Sequence, residues 1–305
     1  MLRYRADIRT LIFMAITTGL LIVQWALPSF NGWLFTAACF MAVTVAVIAH
    51  NHNHLGIWKN KTLNRITDYW ITLFYGFPAF AWIPTHNMNH HKLNNREGDT
   101  SITWRHSEKN NILTLLSYPT ISGMYQQPAV KQFLRDRLKK NRRQGMYYLF
   151  QFLTLVAYLG VAFAIDWRKA LLYVFIPQQV SLFTVLIFNY VQHVHADEES
   201  DVNHSRNFVG WGLNTFLFNN GYHTVHHDRP GLHWSLTPKA HEEIAHTIDP
   251  VLNEKSFAWY LLRVYILGIF VPKFRTDSMR LRRMAHSTPA NEETGTAEPN
   301  RLSPA

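Results

Sequence analysis

Nine of the seventeen histidines in this 305-residue chain fall into three dense groups, and imidazole at such density points to metal. The first group is His50-Asn-His-Asn-His54. On a continuing helix, residues four apart share a face, so His50 and His54 can grip one ion while His52 points elsewhere. The second is His86-Asn-Met-Asn-His90-His91 and the third is His223-Thr-Val-His226-His227. Adjacent helical residues diverge by about 100°, so His90 with His91, and His226 with His227, can serve two neighbouring metals. Alternatively, one ring of each pair binds and the other contacts a supporting group. A fourth piece, Asn189-Tyr-Val-Gln-His193, closes a long apolar run. His193 can complete the set, with Asn189 one turn earlier reaching a metal directly or through water. The scattered His106, His204, His233, His241, His246 and His286 read as solvated loop residues.

Ligating imidazoles need their second ring nitrogen anchored, usually by a carboxylate or carbonyl. Asp99 and Asp228 are the favoured anchors, with His195 and Asp197 as further supporting candidates. Two metal chemistries fit poorly. The first group has no glutamate where a zinc hydrolase motif H-E-x-x-H requires its base. Zinc sites close with three or four protein ligands, fewer than are gathered here. The single cysteine, Cys39, lies in an apolar run, so no intramolecular disulfide or cysteine-based zinc site can form.

The elements that must position these rings are membrane helices. Aromatic residues make up 14% and charged residues 16%, against about a quarter charged in ordinary soluble domains. The mean hydropathy of −0.11 averages apolar blocks with a polar, histidine-rich remainder. Four blocks approach the ~20 residues that cross a hydrocarbon core: 8–27, 33–49, 146–165 and 170–190. The first two are joined by Pro28-Ser-Phe-Asn-Gly32 and the last two by Asp166-Trp-Arg-Lys169, so both pairs read as helical hairpins. Pro177, Gln178 and Gln179 predict a kink or a polar lining in the fourth. Because a second span follows at once, the N-terminal span reads as retained rather than as a cleaved signal peptide.

Stretches 66–83 and 112–124 are apolar but broken by Gly76, Pro78 or Pro119, which suits interfacial or re-entrant helices. Arg3, Arg5 and Arg9 precede the first span, and Lys131–Arg143 (KQFLRDRLKKNRR) precedes the third. The positive-inside rule therefore puts both termini and every histidine group in the cytosol. The expected architecture is all-α and integral to the membrane. Four transmembrane helices in two hairpins carry interfacial helices and a cytosolic His-rich cap. Residues 1–275 form this domain, and 276–305 form a polar tail, expected to be disordered from Ser287. The net charge of +10 and pI near 9.7 fit lipid headgroups, since the basic runs flank apolar segments and no nucleic-acid module is present.

The order H-x3-H, H-x3-HH, N-x3-H, H-x2-HH, interleaved with two hairpins, resembles the membrane fatty acid desaturase superfamily from about residue 30 to 275. The local contexts Pro84-Thr-His86-Asn and Asn220-Gly-Tyr-His223-Thr-Val-His226-His227-Asp228-Arg-Pro230 carry the same likeness. The resemblance implies a di-iron centre, two iron ions held by His50, His54, His86, His90, His91, His193, His223, His226 and His227. Asn189 matches a position that contacts metal through water. It also implies an O2-dependent oxidoreductase that desaturates a fatty acyl chain or lipid. A hydroxylase or ketolase of lipid, carotenoid or hydrocarbon would use the same centre, and a non-catalytic zinc-binding membrane protein is the remaining alternative. The first box has three residues between its histidines where many desaturases have four, and the second three where many have two.

Electrons must come from an external carrier such as ferredoxin, or cytochrome b5 with its reductase, because no fused haem or iron–sulfur signature is present. Lys131–Arg143 and Arg280–Arg283 are candidate docking runs for an acidic carrier, or for headgroups. A substrate would come from the bilayer, with Trp70, Tyr75, Trp82, Trp104 and Trp211 as candidate lining residues, each of which could equally be an interfacial anchor. The short loops and the absence of an ER-retrieval ending fit a bacterial inner membrane.

Overall fold

Each of the four apolar blocks becomes one long helix in the computed structural model, which describes residues 1–287. Helix α1 (Asp7–Ala26) ends before Pro28, and α2 (Gly32–His54) starts where Asn31 accepts the Leu34 N–H as an N-cap. Helix α2 runs unbroken through the first histidine group, so the four-residue spacing of His50 and His54 does place them on one face. Helix α3 (Lys61–Tyr75) is capped by Asn60 and stops at Gly76, whose φ of 83° lies in the left-handed region. A side chain there would also meet Gln178, which comes within 2.5 Å of an ideal Cβ position.

The chain then turns back through Ala79–Ala81 into a π-helical stretch, Ile83–His90, that carries most of the second histidine group. Helix α4 (Ile112–Lys140) differs from the expected short interfacial piece. It is 29 residues long and continues through Pro119 and Pro128. A helix-interior proline costs about 3 kcal/mol. Here an Asn111–Thr114 capping box secures the start, and burial of Tyr118, Pro119, Ser122, Val130 and Phe133 supports the body. The basic run expected ahead of the third span forms the last turns of this helix.

Helices α5 (Arg142–Ile165) and α6 (Trp167–His193) follow. The expected irregularity at Pro177 is a π-helical stretch over Leu171–Phe175. A wider turn absorbs the missing amide hydrogen of the proline without breaking the helix. Lys169, between α5 and α6, donates to the carbonyls of Trp25 and Leu27 at the end of α1, 2.5 and 3.1 Å away. The two interhelix turns therefore share one end of the bundle, while α2 and α6 both finish at the histidines.

Helix α2 lies at the centre, against α1, α3 and α6. Its buried Val45–Ala49 segment packs with Ile71, Tyr75, Trp82, Phe188 and Phe218. After α6 come short helices α7 (Trp211–Phe216), α8 (His223–Asp228), α9 (Thr237–Ile244), the apolar α10 (Phe257–Phe270) and α11 (Met279–Ser287). The fold is mostly helical but not strictly all-α, because β1 (Asn207–Phe208) pairs in parallel with β2 (Asn253–Glu254).

The chain stays built past residue 275. Arg283 of α11 meets Asp197 and Glu198 at 2.7 and 2.8 Å, and Arg280 meets Glu108 and Glu198 at 2.6 and 3.0 Å. Arg280 also lies over the Trp104 ring. These two arginines, candidates for carrier docking, are thus engaged within the fold. The tail expected to be disordered lies, from residue 288, outside the described residues.

Candidate metal centre

The nine boxed histidines gather into two groups through their Nε2 atoms. His50, His54, His86, His91 and His226 form one; His90, His193, His223 and His227 form the other. In the first, His50 Nε2 lies 3.0 Å from His86 Nε2 and 2.9 Å from His226 Nε2. His91 Nε2 lies 3.2, 3.1 and 3.0 Å from those of His54, His86 and His226. In the second, His193 Nε2 is 3.1 Å from His90 and 2.9 Å from His223, and His223 is 3.1 Å from His227.

A neutral imidazole has one N–H and one lone pair. A ring nitrogen facing three others at 3 Å cannot satisfy them as hydrogen bonds. Lone pairs turned on a common point without a cation repel one another. With metal–nitrogen bonds of about 2.1 Å, neighbouring ligands at right angles stand about 3.0 Å apart, and tetrahedral ones about 3.4 Å. The observed edges match the right-angled case, and five nitrogens exceed a closed tetrahedral zinc shell. The donor sets therefore fit one metal ion in each group, with five nitrogens in the first and four in the second.

Local backbone explains the partition. Adjacent His90 and His91 go to different groups, as do His226 and His227, as their angular divergence on a helix suggests. His223 and His227, four apart on α8, stay together. The rings of His86 and His90 stack, 5.3 Å apart, as α-helical spacing would have it, yet their Nε2 atoms join different groups. The π-helical turn of Ile83–His90 repeats nearer five residues, so His86 pairs instead with His91. Left-handed Asn94 and Asn95 end this segment and turn the chain back across it. Ahead of α8, Gly221 admits no side chain, since an ideal Cβ would fall 2.0 Å from the Phe208 carbonyl oxygen. That contact fixes where His223 begins.

The supporting residues divide. Asp99 is fully buried and its Oδ2 lies 2.7 Å from His90 Nδ1. It also accepts from the Asn95 amide, the Ser101 amide and the Ser101 hydroxyl. Burial pushes the Asp99 carboxyl up, but His90 and Ser101 outweigh it and hold the group well below the usual carboxylate range. Asp228 does not reach a boxed ring; it faces His204 Nε2 at 3.4 Å. Asp197 is taken by Arg283. His195 approaches the Glu108 carbonyl and the Thr276 hydroxyl, both at 2.8 Å, tying down the C-terminal segment rather than joining either group. His52 accepts from the Ile57 amide and turns Nε2 toward Asp68. Asn189 Nδ2 donates to the Tyr118 hydroxyl at 2.6 Å.

Three histidines expected to be solvated are buried. His204 offers its backbone carbonyl to His193 Nδ1 at 3.2 Å, so it orients a boxed ring through the main chain. His233 meets buried Asp7 at 3.2 Å and stacks on Tyr4, pinning the N-terminal arm. His241 packs beside Tyr222. No spacing rule marks such residues, because their partners lie far along the chain. Around the groups, burial and then neighbouring rings hold His86, His223, His226 and His227 well below 6.5. His91 is lowered to about 2 by burial and then by His90. Neutral rings are the form that binds metal.

A cavity of about 780 Å³ ends on His50, His86, His90 and His223, touching both groups. Tyr75 and Trp82 line it as expected, whereas Trp70, Trp104 and Trp211 do not. Trp70 stacks on Phe74, and Trp211 is 78% exposed. Asn189, Ser101 and Gln192 add polar atoms near the histidines, and among the described residues no charged side chain lines the wall.

A family model described as "Fatty acid desaturase" matches residues 24–257. No curated protein and no solved structure matches the chain. The family match spans all three histidine boxes and His193, and it runs over well over half of the chain. The chain belongs to the fatty acid desaturase family.

Proposed function

We propose that the chain is an O2-dependent, di-iron membrane enzyme that introduces a double bond into a fatty acyl chain. The observation that carries this reading is that one apolar cavity ends on ligands of both histidine groups at once. All-imidazole donor sets suit iron. His50, His54, His86, His91 and His226 would hold one iron, and His90, His193, His223 and His227 the other. When bound and reduced by an external carrier, the pair supplies the oxidising power to take hydrogen from an unactivated C–H bond. The overall change is R–CH2–CH2–R′ + O2 + 2 e⁻ + 2 H⁺ → R–CH=CH–R′ + 2 H2O.

The chain's own residues bind, orient and exclude water. Trp82, 8% exposed, sits 5.4 and 5.1 Å ring-to-ring from His50 and His86 and forms the wall beside the reacting carbons. Tyr75 packs behind it. Reaction at one carbon pair depends on holding the chain within a fraction of an ångström, and these buried aromatics restrict it. Asn189, its Nδ2 donating to the Tyr118 hydroxyl, lines the cavity near the histidines, and its carboxamide oxygen would accept from a water at the metal site. The basic N-terminal arm and Lys131–Arg143 support a cytosolic position for the histidine end and both termini.

Mass spectrometry of the lipids of a bacterial host expressing the chain tests this. A product two mass units lighter is expected. A product sixteen units heavier would replace desaturation with hydroxylation, and purified chain carrying zinc but no iron from an iron-replete host would overturn the di-iron reading.

A further inference from the structure

The cavity wall carries five residues that are also exposed: Thr120, Met124 and Gln127 on α4, and Gln179 and Phe183 on α6. Their spacings place the first three on one face of α4 and the last two on one face of α6, so two facing helix stripes rim the mouth. Gln179 lies twelve residues from Trp167 and fourteen from His193, the ends of a membrane-length helix. At 1.5 Å per residue this is about 20 Å from either end. With α6 crossing the bilayer, as its length and hydropathy allow, the Gln179 side of the mouth opens sideways at bilayer depth.

A carboxamide facing hydrocarbon without a partner is costly, by roughly 1–3 kcal/mol on mutational scales. Gln178 avoids this cost by donating to the Leu73 carbonyl at 2.7 Å, and Gln126 by donating to the Ser122 hydroxyl at 2.9 Å. Among the described residues, Gln127 and Gln179 have no such bond. We infer that these two side chains form a hydrogen-bonding site for an uncharged carbonyl or hydroxyl of a membrane lipid. The lipid's chain runs inward from them to the histidines. Among the described residues the wall carries no charged side chain to balance a carboxylate or phosphate, which favours an uncharged group there. The substrate is then an ester, amide or alcohol lipid taken laterally from the bilayer. This rests on reading the cavity as the acyl site.

The test uses chain-brominated stearyl alcohol, methyl stearate, octadecane and stearate with the detergent-solubilised full chain. The signal is the part of the tryptophan quenching that Trp82→Phe removes. Two modest hydrogen bonds predict that the alcohol and ester bind about tenfold tighter than the alkane. The double variant Gln127→Leu with Gln179→Leu should lose that preference while binding the alkane at least as well, since its mouth is more apolar. Unchanged metal content and circular dichroism verify its folding. A variant that keeps the preference, or a wild type that favours stearate over the ester, overturns the inference. Binding needs no turnover. Absence of product with the preference intact therefore counts against the proposed oxidation alone, and product without the preference counts against this site alone.

Discussion

Replacing Asp99 with asparagine keeps the shape of the side chain and removes its ability to accept on both oxygens. Four donors converge on the buried carboxylate: His90 Nδ1–H and the Asn95 amide on Oδ2, the Ser101 amide and hydroxyl on Oδ1. A carboxamide has one oxygen, so its NH2 must face one of these pairs whichever way it turns. If it faces His90, Nδ1 can accept only by giving up its proton, which then moves to Nε2 and blocks the nitrogen aimed at the metal. If it faces Ser101, a buried amide hydrogen is left unpaired at about 1–3 kcal/mol. Loss of such an anchor typically weakens metal binding 10–100-fold, about 1.4–2.7 kcal/mol. The effect should be confined to the group of His90, His193, His223 and His227. Metal analysis of Asp99→Asn after timed exposure to a chelator should therefore show about one metal per chain when the wild type still shows two. Asp228→Asn is the control, because among the described residues Asp228 makes no hydrogen bond to a boxed ring and faces His204 at 3.4 Å. If Asp99→Asn keeps both metals as long as the wild type does, the hydrogen-bond reasoning is wrong.

Tyr118→Phe should lower thermal stability by about 1–2 kcal/mol, because the hydroxyl joins the Ser101 carbonyl to Asn189; it should also broaden the position of the double bond, read by gas chromatography with mass spectrometry. Arg283→Ala leaves Glu198, 6% exposed as a side chain, with Arg280 as its remaining partner. Limited proteolysis should then cut near α11 several times faster, and an unchanged rate would mean that the helix is held by other contacts. The metal-free chain should lose stability as pH falls below about 6.5. The folded-state pKa values of His86, His91, His223, His226 and His227 are lowered, so the unfolded state binds protons first. A thermal midpoint that stays flat from pH 8 to pH 5 would contradict the burial of these rings.

Much of this centre can be read from residue spacing alone where the backbone is a regular helix. His50 with His54 needs only the 100° step, which also allows, without requiring, the split of His226 from His227. His193 is legible because it ends an apolar run. The partners of His204, His233 and His52 are not legible. Each depends on a main-chain or carboxylate group brought in by tertiary packing, with no local pattern to announce it. Asp228 faces His204 because, as the last residue of α8, it points about 100° away from His227. The length of α4 was hidden by Pro119 and Pro128, whose local penalty is outweighed by burial against α5 and α6. Arg280 and Arg283 looked like free surface charge, since only the fold brings Glu108, Asp197 and Glu198 to them.

The π-helical winding of Ile83–His90 also bears on how histidine boxes are compared between proteins. A wider turn takes up one residue more than an α-helical turn while returning a side chain to almost the same direction. The second box, with one residue more than many desaturases have, can therefore present its rings as a shorter box does on a tighter coil. Counting letters between histidines then measures how the main chain is wound, not what the enzyme oxidises. A box length that differs from the common one is a reason to look for a bulge, and the choice of substrate has to be read from the walls of the cavity.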